Sequence, residues 1–350
     1  MMRDRHILII GSFYHPRNKR HYTSAAEQLA ALFQKRHIPV ITTTKRYGKI
    51  SKLLSTLWAI TRNSGQYGIA ILPLYGTPLN FIWHQSAAVL LKLLGKKLIV
   101  VVHGGSIPGQ ISSGEQKFFK ALHRADHVVC PSGFIADFLK PYGYNATVIE
   151  NVLDVGSYPF QHKEIFRPHI LWMRSFSAIY NPHMAVKVGI SLAARHPDFR
   201  MLMAGSDHGQ MEEIKTLIRQ NGLEDKIQLP GYIGHTQKLY YAGAYDIFIN
   251  TNNIDNAPVT VVENMAMGLA VVTVDTGGIP YLVNNETNGL VVARDDHEAM
   301  AKAIERIVEQ PSLGAALCEN ARRRALDFDE APVAAKWRAL LSETGFAFSV

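Results

Sequence analysis

Asp255-Asn-Ala-Pro-Val-Thr-Val-Val-Glu263, continuing Asn264-Met-Ala-Met-Gly-Leu-Ala-Val-Val-Thr-Val-Asp-Thr-Gly-Gly278, decides how this chain folds. It follows an apolar run, Asp246 to Asn250, so it must supply a loop, a helix and then another strand. Pro258 suits the first helical turn, where its missing N–H costs nothing. Ala270 to Val274 is apolar apart from Thr273, as expected of a strand buried on both faces. A strand, a helix and a strand in this order make a unit of a parallel sheet.

The same alternation extends outward in both directions. Upstream, Ile170-Leu-Trp-Met173, Arg200 to Ala204 and Ile227 to Leu229 read as strands, with Met184, Val188 and Leu192 at helical spacing between the first two. Downstream, Leu290 to Ala293 is a strand, and Asp295-Asp296 can cap a helix that buries Met300, Ala303 and Ile307. A separate series fills the N-terminal half: His6 to Gly11, Ile38 to Thr43, Ile69 to Leu74, Leu98 to Val102, His127 to Cys130 and Ala146 to Ile149. A helix from about Ser24 carries Leu29, Leu32 and Phe33 on one face. The pattern starts twice, which predicts an α/β protein of two Rossmann-like domains. The expected division is 1–160, then 161–330, with 331–350 as a helix returning to the first domain. Asp154 to Pro168 lacks periodicity and carries Gly156, Pro159 and Pro168, so it is the expected link. Ligands of such sheets bind outside the carboxyl ends of the strands, and a cleft between facing domains is the expected site.

Composition narrows the class. The chain has 350 residues, enough for two domains. No apolar run reaches the ~18–20 residues that span a bilayer; the longest candidate, Ile69 to Leu94, is interrupted by Pro73, Gly76, Pro78 and His84. Ile7 to Ile10 is shorter than the ~7–15 residues of a signal core, so the expectation is a cytoplasmic protein. Cys130 and Cys318 are the only cysteines and make no disulfide framework. The formal charge of +8 suits an anionic partner. No zinc-finger spacing and no RNA-binding strand signature is present, so nucleic acid is not expected.

The chemistry-bearing residues cluster after strands. Free N–H groups at a helix start near Pro258, Val259 and Thr260, together with the helix dipole, favour a phosphate. Glu263 lies further along the same helix among Val261, Val262, Met265 and Ala266. A carboxylate in that company needs partners, and a sugar's vicinal hydroxyls can supply them. Gly277-Gly278 can let backbone come close to a ligand. Against these stand plainer roles: a solvated Glu263, Asp255 as a helix cap, a turn at the two glycines.

The Asp255–Gly278 block resembles the signature of the family 4 glycosyltransferases: two acidic residues eight apart, a helix of small residues and a Gly-Gly turn. The resemblance extends over nearly the whole chain. It implies the GT-B fold, two Rossmann-like domains facing a central cleft, and retaining transfer from a nucleotide-sugar donor without metal or other cofactor. It places Asp255, where the family usually has Glu, by the transferred sugar and Glu263 on the ribose. Arg174, ending Ile170-Leu-Trp-Met-Arg174, matches the arginine that grips the diphosphate. The lysine usual six residues later is replaced by Tyr180. Ala204-Gly205-Ser and Leu229-Pro-Gly-Tyr232-Ile resemble the next two loops, the second near the base. In the N-terminal half, Val102-His103-Gly104-Gly105 resembles the loop whose histidine faces the sugar, and Gly11 with the loop to Arg20 takes the acceptor. The implied partners are the donor and a glycan or lipid-linked acceptor, to which the net charge adds an anionic membrane surface; the implied role is surface polysaccharide or glycolipid synthesis at the inner face of the membrane. A catalytically silent nucleotide-sugar-binding partner protein and a sugar-nucleotide epimerase share the architecture and stay open.

One segment bears on the membrane. Ile50, Leu53, Leu54, Leu57 and Trp58 repeat at helical spacing, with Lys45, Lys49 and Lys52 expected on the other side. Such a helix suits an anionic lipid surface; packing of the apolar stripe on its own sheet is the competing expectation.

Overall fold

A computed structural model of the chain describes residues 6–13, 24–44, 48–75, 78–103, 107 and 118–348. The fold divides into two compact units, Met1–Val152 with Glu330–Val350, and Leu153–Asp329.

The first unit runs β1 (His6–Ser12), α1 (Ala25–Lys35), β2 (Val40–Thr44), α2 (Lys49–Arg62), β3 (Tyr67–Tyr75), α3 (Pro78–Leu93), β4 (Lys97–His103), α4 (Phe119–Leu122), β5 (His127–Cys130), α5 (Gly133–Leu139) and β6 (Ala146–Val148). The second runs β7 (His169–Met173), α6 (Pro182–Ala193), β8 (Arg200–Ala204), α7 (Met211–Gln220), β9 (Ile227–Gly231), α8 (His235–Ala244), β10 (Ile247–Asn250), α9 (Val259–Met267), β11 (Ala270–Val274), β12 (Leu290–Val292), α10 (His297–Glu309) and α11 (Pro311–Ala325). Helix α12 (Glu330–Glu343) then closes the first unit.

Each unit holds a six-stranded parallel sheet, ordered β2-β1-β3-β4-β5-β6 and β12-β11-β10-β7-β8-β9. Both faces of each sheet are covered. In the first, Leu8, Leu72 and Val100 face one core, and Ile7, Ile9, Ile71 and Ile99 face the other. In the second, Ile170, Trp172 and Ile249 face one side, and Leu171, Phe248 and Val271 the opposite. Such double burial is why these strands read as continuous apolar runs. The strand order of the second sheet reverses between β7 and β10, and a switch point of this kind opens a crevice at the strands' carboxyl ends.

Helix starts follow local chemistry. Ser24 and Glu27 form a capping box at α1, with Ser24 Oγ accepting from the Glu27 N–H and Glu27 Oε2 accepting from the Ser24 N–H at 2.8 Å. Asp296 caps α10 by accepting from the Ala299 N–H at 2.8 Å. Helix α12 supplies Val333, Trp337, Leu340 and Leu341 to the core beneath β1. Burying a leucine of this kind contributes roughly 1.5–3 kcal/mol. Its Lys336 Nζ also meets the buried Glu150 carboxylate at 2.6 Å.

Two sequence expectations change. Asp154 to Pro168 is built into the second unit rather than left as a link. Leu153 N–H donates to Phe328 O, Val155 N–H to Asp329 Oδ1, and Phe166 is in the core. The buried Asp246 carboxylate accepts from the Arg167 N–H at 3.0 Å and from Arg167 Nε at 2.8 Å, with Lys163 Nζ at 3.3 Å. A nearly sealed carboxylate of this kind requires such partners, and they pin the segment down.

The stripe on α2 also splits. Leu53 packs on the first unit's core and Leu57 is half-buried, whereas Ile50, Leu54 and Trp58 are 75%, 62% and 59% exposed. Lys52 Nζ lies 3.6 Å from the ring centre of the buried Trp83, so it does not project freely opposite the stripe. Lys45 lies outside the described residues.

Candidate active site

Arg174 follows β7 directly, at the strand reversal, and its N–H donates to Ala204 O at the end of β8. A Cβ on Gly205 would stand 1.8 Å from Arg174 O, so only glycine allows this approach. Gly205 therefore meets protein backbone; its expected contact with the nucleotide is not what demands the glycine.

The Arg174 side chain reaches across to the loop after β10, where Nη2 donates to Asp255 Oδ2 at 2.6 Å. The two side chains are 13% and 18% exposed. Asn252 Nδ2 also donates to Oδ2, and the Asn256 N–H to Oδ1, both at 2.8 Å. Arg174 Nε is buried without a partner. A guanidinium carries five donors in a planar fork, and an unspent buried donor of this kind suits an incoming anion. Tyr180, in the place of the usual lysine, lies with its ring centre 5.1 Å from the guanidinium carbon. It flanks the arginine by cation–π contact and adds no charge of its own.

Gly277 and Gly278 hold this arrangement from below. A Cβ would fall 2.1 Å from Asp255 O at Gly277, which also has a φ of +54°, and 1.7 Å from Asn256 O at Gly278. The Gly278 N–H donates to Asp255 O at 2.8 Å. The pair is needed for two loops to touch. The backbone that these glycines admit is that of Asp255 and Asn256, and the contact holds the loop that carries the carboxylate.

Pro258 stands at the N-cap of α9, one residue before the expected first turn, and no side chain caps the helix. Val259 and Thr260 open it, and the Thr260 hydroxyl is buried without a partner. Helix α9 thus presents unsatisfied donors beside Asp255.

Glu263, in the second turn of α9, is buried and bonded through both carboxylate oxygens. Lys238 Nζ lies 2.8 Å from Oε1 and 2.7 Å from Oε2, and the Tyr158 hydroxyl donates to Oε1 at 2.8 Å. Burial, then the Glu263 charge, pushes the Tyr158 phenol above its usual range. The same two causes raise Tyr232, which stands after β9. Lys238 and Tyr158 escaped sequence reasoning. The apolar company of Glu263 signalled that partners must exist, but their identity is set by tertiary packing.

In the first unit, His103 ends β4 and stacks on Tyr75, ring centres 5.5 Å apart. Burial lowers its pKa to about 4, so the imidazole is neutral near pH 7. Gly11 serves packing: a Cβ there would lie 2.6 Å from Ala26 Cβ on α1. Arg20, Gly104 and Gly105 fall outside the described residues. His84 on α3 is fully buried, with neither ring nitrogen hydrogen-bonded. Cys130 is a core residue whose thiol burial pushes up to about 12, which removes it as a nucleophile.

Residues 161–324 match the glycosyl transferases group 1 family and residues 23–156 match glycosyltransferase family 4, together most of the chain. The chain belongs to the family 4 glycosyltransferases. Among relatives of this glycosyltransferase is the lipopolysaccharide core biosynthesis mannosyltransferase LpsB of Rhizobium meliloti, 27% identical over 288 residues that cover 74% of this chain and 80% of LpsB. An uncharacterized glycosyltransferase of Haemophilus influenzae is 25% identical over 158 residues. That match covers 45% of this chain and 44% of the Haemophilus protein, so the similarity spans less than half of that relative. Anabaena HepE, solved in complex with UDP and glucose, superposes with a TM-score of 0.72 at 19% identity, covering 97% of this chain and all of HepE. At that identity the likeness establishes the fold, which is GT-B. Among the described residues, no helix of this glycosyltransferase is long and apolar enough to cross a membrane.

Proposed function

We propose that this glycosyltransferase moves a sugar, with retention at the anomeric carbon, from a nucleotide-sugar donor to a glycan or lipid-linked acceptor. One observation carries the reading. A guanidinium with an unspent buried donor is paired to a carboxylate beside an uncapped helix start, at the strand reversal of the second sheet.

The pair suggests how the donor engages. A diphosphate competes with Asp255 for Arg174, and the freed Asp255 carboxylate becomes an acceptor for hydroxyls of the transferred sugar. As the anomeric C–O bond breaks, its electrons pass to the diphosphate, and Arg174 with the first amides of α9 stabilises that charge. The acceptor oxygen bonds to the anomeric carbon on the face the diphosphate leaves, and its proton passes to a diphosphate oxygen. This route uses no metal. Glu263 receives the ribose and Tyr232 borders the base. His103 and the region of Gly11 belong to acceptor and sugar recognition in the first unit.

The proposal includes an anionic membrane surface as partner. Between Glu27 and Glu115 the sequence has no acidic residue and ten lysines and arginines. Helices α2 and α3, which fall in this stretch, also expose Ile50, Leu54, Trp58, Ile82 and Leu93. A relative named for lipopolysaccharide core synthesis fits an acceptor at such a surface.

A panel of UDP- and GDP-sugars tested by thermal stabilisation, then by product formation in EDTA, tests the reading. A bound donor raises apparent stability by mass action, and the expected enzyme transfers in chelator. Loss of transfer that only Mg²⁺ restores would overturn the metal-free route; no stabilisation by any donor would overturn the nucleotide site.

A further inference from the structure

Lys238 is placed against local preference. It lies in the first turn of α8, where the helix dipole disfavours a cation. Yet its ammonium spans both Glu263 oxygens, with the side chains of Lys238 and Glu263 only 21% and 7% exposed. Sites where a local rule is broken inside an otherwise consistent fold concentrate function.

The bonds are also unevenly shared. A carboxylate offers about four lone-pair positions, two on each oxygen. Tyr158 and Lys238 fill both on Oε1, whereas Oε2 receives Lys238 alone. One acceptor position is left, and it is on Oε2. Other groups around the carboxylate are Tyr232, from the loop after β9, and His235, which meets Tyr158 edge-on at 4.9 Å.

We propose that Lys238 is a positioning residue for the nucleotide ribose, holding the Glu263 carboxylate turned so that Oε2 is open to a ribose hydroxyl. This rests on the nucleotide site proposed above. Without the ammonium, the buried carboxylate keeps the Tyr158 hydroxyl on Oε1 and loses the contact that fixes Oε2.

The test is calorimetric binding of UDP, GDP and their 2′,3′-dideoxy counterparts to the full chain. Wild type is expected to prefer the ribonucleotide by roughly tenfold or more, the scale of a hydrogen bond to a charged group. Lys238→Met is expected to lose most of that preference while binding the dideoxy nucleotides as wild type does. Lys238→Arg is expected to retain the preference. Lys238→Gln replaces Lys238→Met if the latter does not fold, with the same expectation. His235→Gln, which removes the ring beside Tyr158 and keeps Lys238, is expected to match wild type. A charge-free variant with wild-type preference overturns the role of Lys238 alone. Wild type that binds neither UDP nor GDP overturns the nucleotide site and this inference together.

Discussion

Arg174 shows what a single side chain decides. It is held on one carboxylate, flanked by a phenol ring, and left with a buried donor to spend. Arg174→Ala is therefore expected to weaken nucleoside diphosphate binding by about 1.5–3 kcal/mol, with little effect on the bare nucleoside. Parallel titrations of the two ligands measure this; equal losses would place the guanidinium away from the diphosphate. Arg174, Asp255 and Glu263 stood out in the sequence as charges that follow a strand or interrupt an apolar helix, and the family resemblance supplied their expected roles; the pairing of Arg174 with Asp255 was not legible there. The two glycine sites were legible as glycines but not as to cause. Whether a missing Cβ admits a ligand or another loop depends on which backbone lies opposite, and that is a property of the folded sheet. Lys238 left no trace at all, since nothing near it in sequence distinguishes it from a solvated lysine.

At the scale of elements, the twelve strands among the described residues were legible because both faces of each sheet are buried, which leaves apolar runs with few polar interruptions. Helix α2 was harder. Apolar residues occupy both its inner and outer faces, and periodicity alone does not say which face meets the sheet. Once the inner face is assigned through Leu53, Ala59 and Ile60, the outer line of Ile50, Leu54 and Trp58 remains in solvent with Arg62 against the Trp58 ring at 4.8 Å. An exposed apolar line in an acid-free stretch fits shallow insertion into an anionic leaflet, where each nearby cation adds ~1 kcal/mol. The chain is expected to sediment with anionic vesicles, to be released by salt, and to ignore neutral vesicles. Leu54→Glu with Trp58→Glu is expected to abolish sedimentation while keeping transfer to a soluble acceptor analogue. Undiminished sedimentation of the double variant would remove α2 from the contact.

At the scale of the whole molecule, the two units carry different liabilities. His84 and His103, both in the first unit, are held neutral by burial, His84 further by Lys52, with pKa values lowered to about 3 and about 4. In the unfolded chain these imidazoles take protons near pH 6.5, so the unfolded state binds more protons below that value. Stability is full above pH 6.5 and falls as pH drops toward 4. Denaturant midpoints between pH 7 and pH 4.5 are expected to decline, and His84→Phe is expected to flatten that decline. An unaltered acid limb in the variant would mean that His84 is protonated in the native state. The return of α12 to the first sheet has its own consequence, for synthesis. A ribosome releases β1 well before α12, yet Val333, Trp337, Leu340 and Leu341 complete the core beneath β1. Leu153–Asp329 is contiguous and has all its own parts before α12 emerges. The portion translated second is thus able to mature first, while one face of the nascent N-terminal sheet has only α1 upon it until α12 is synthesised.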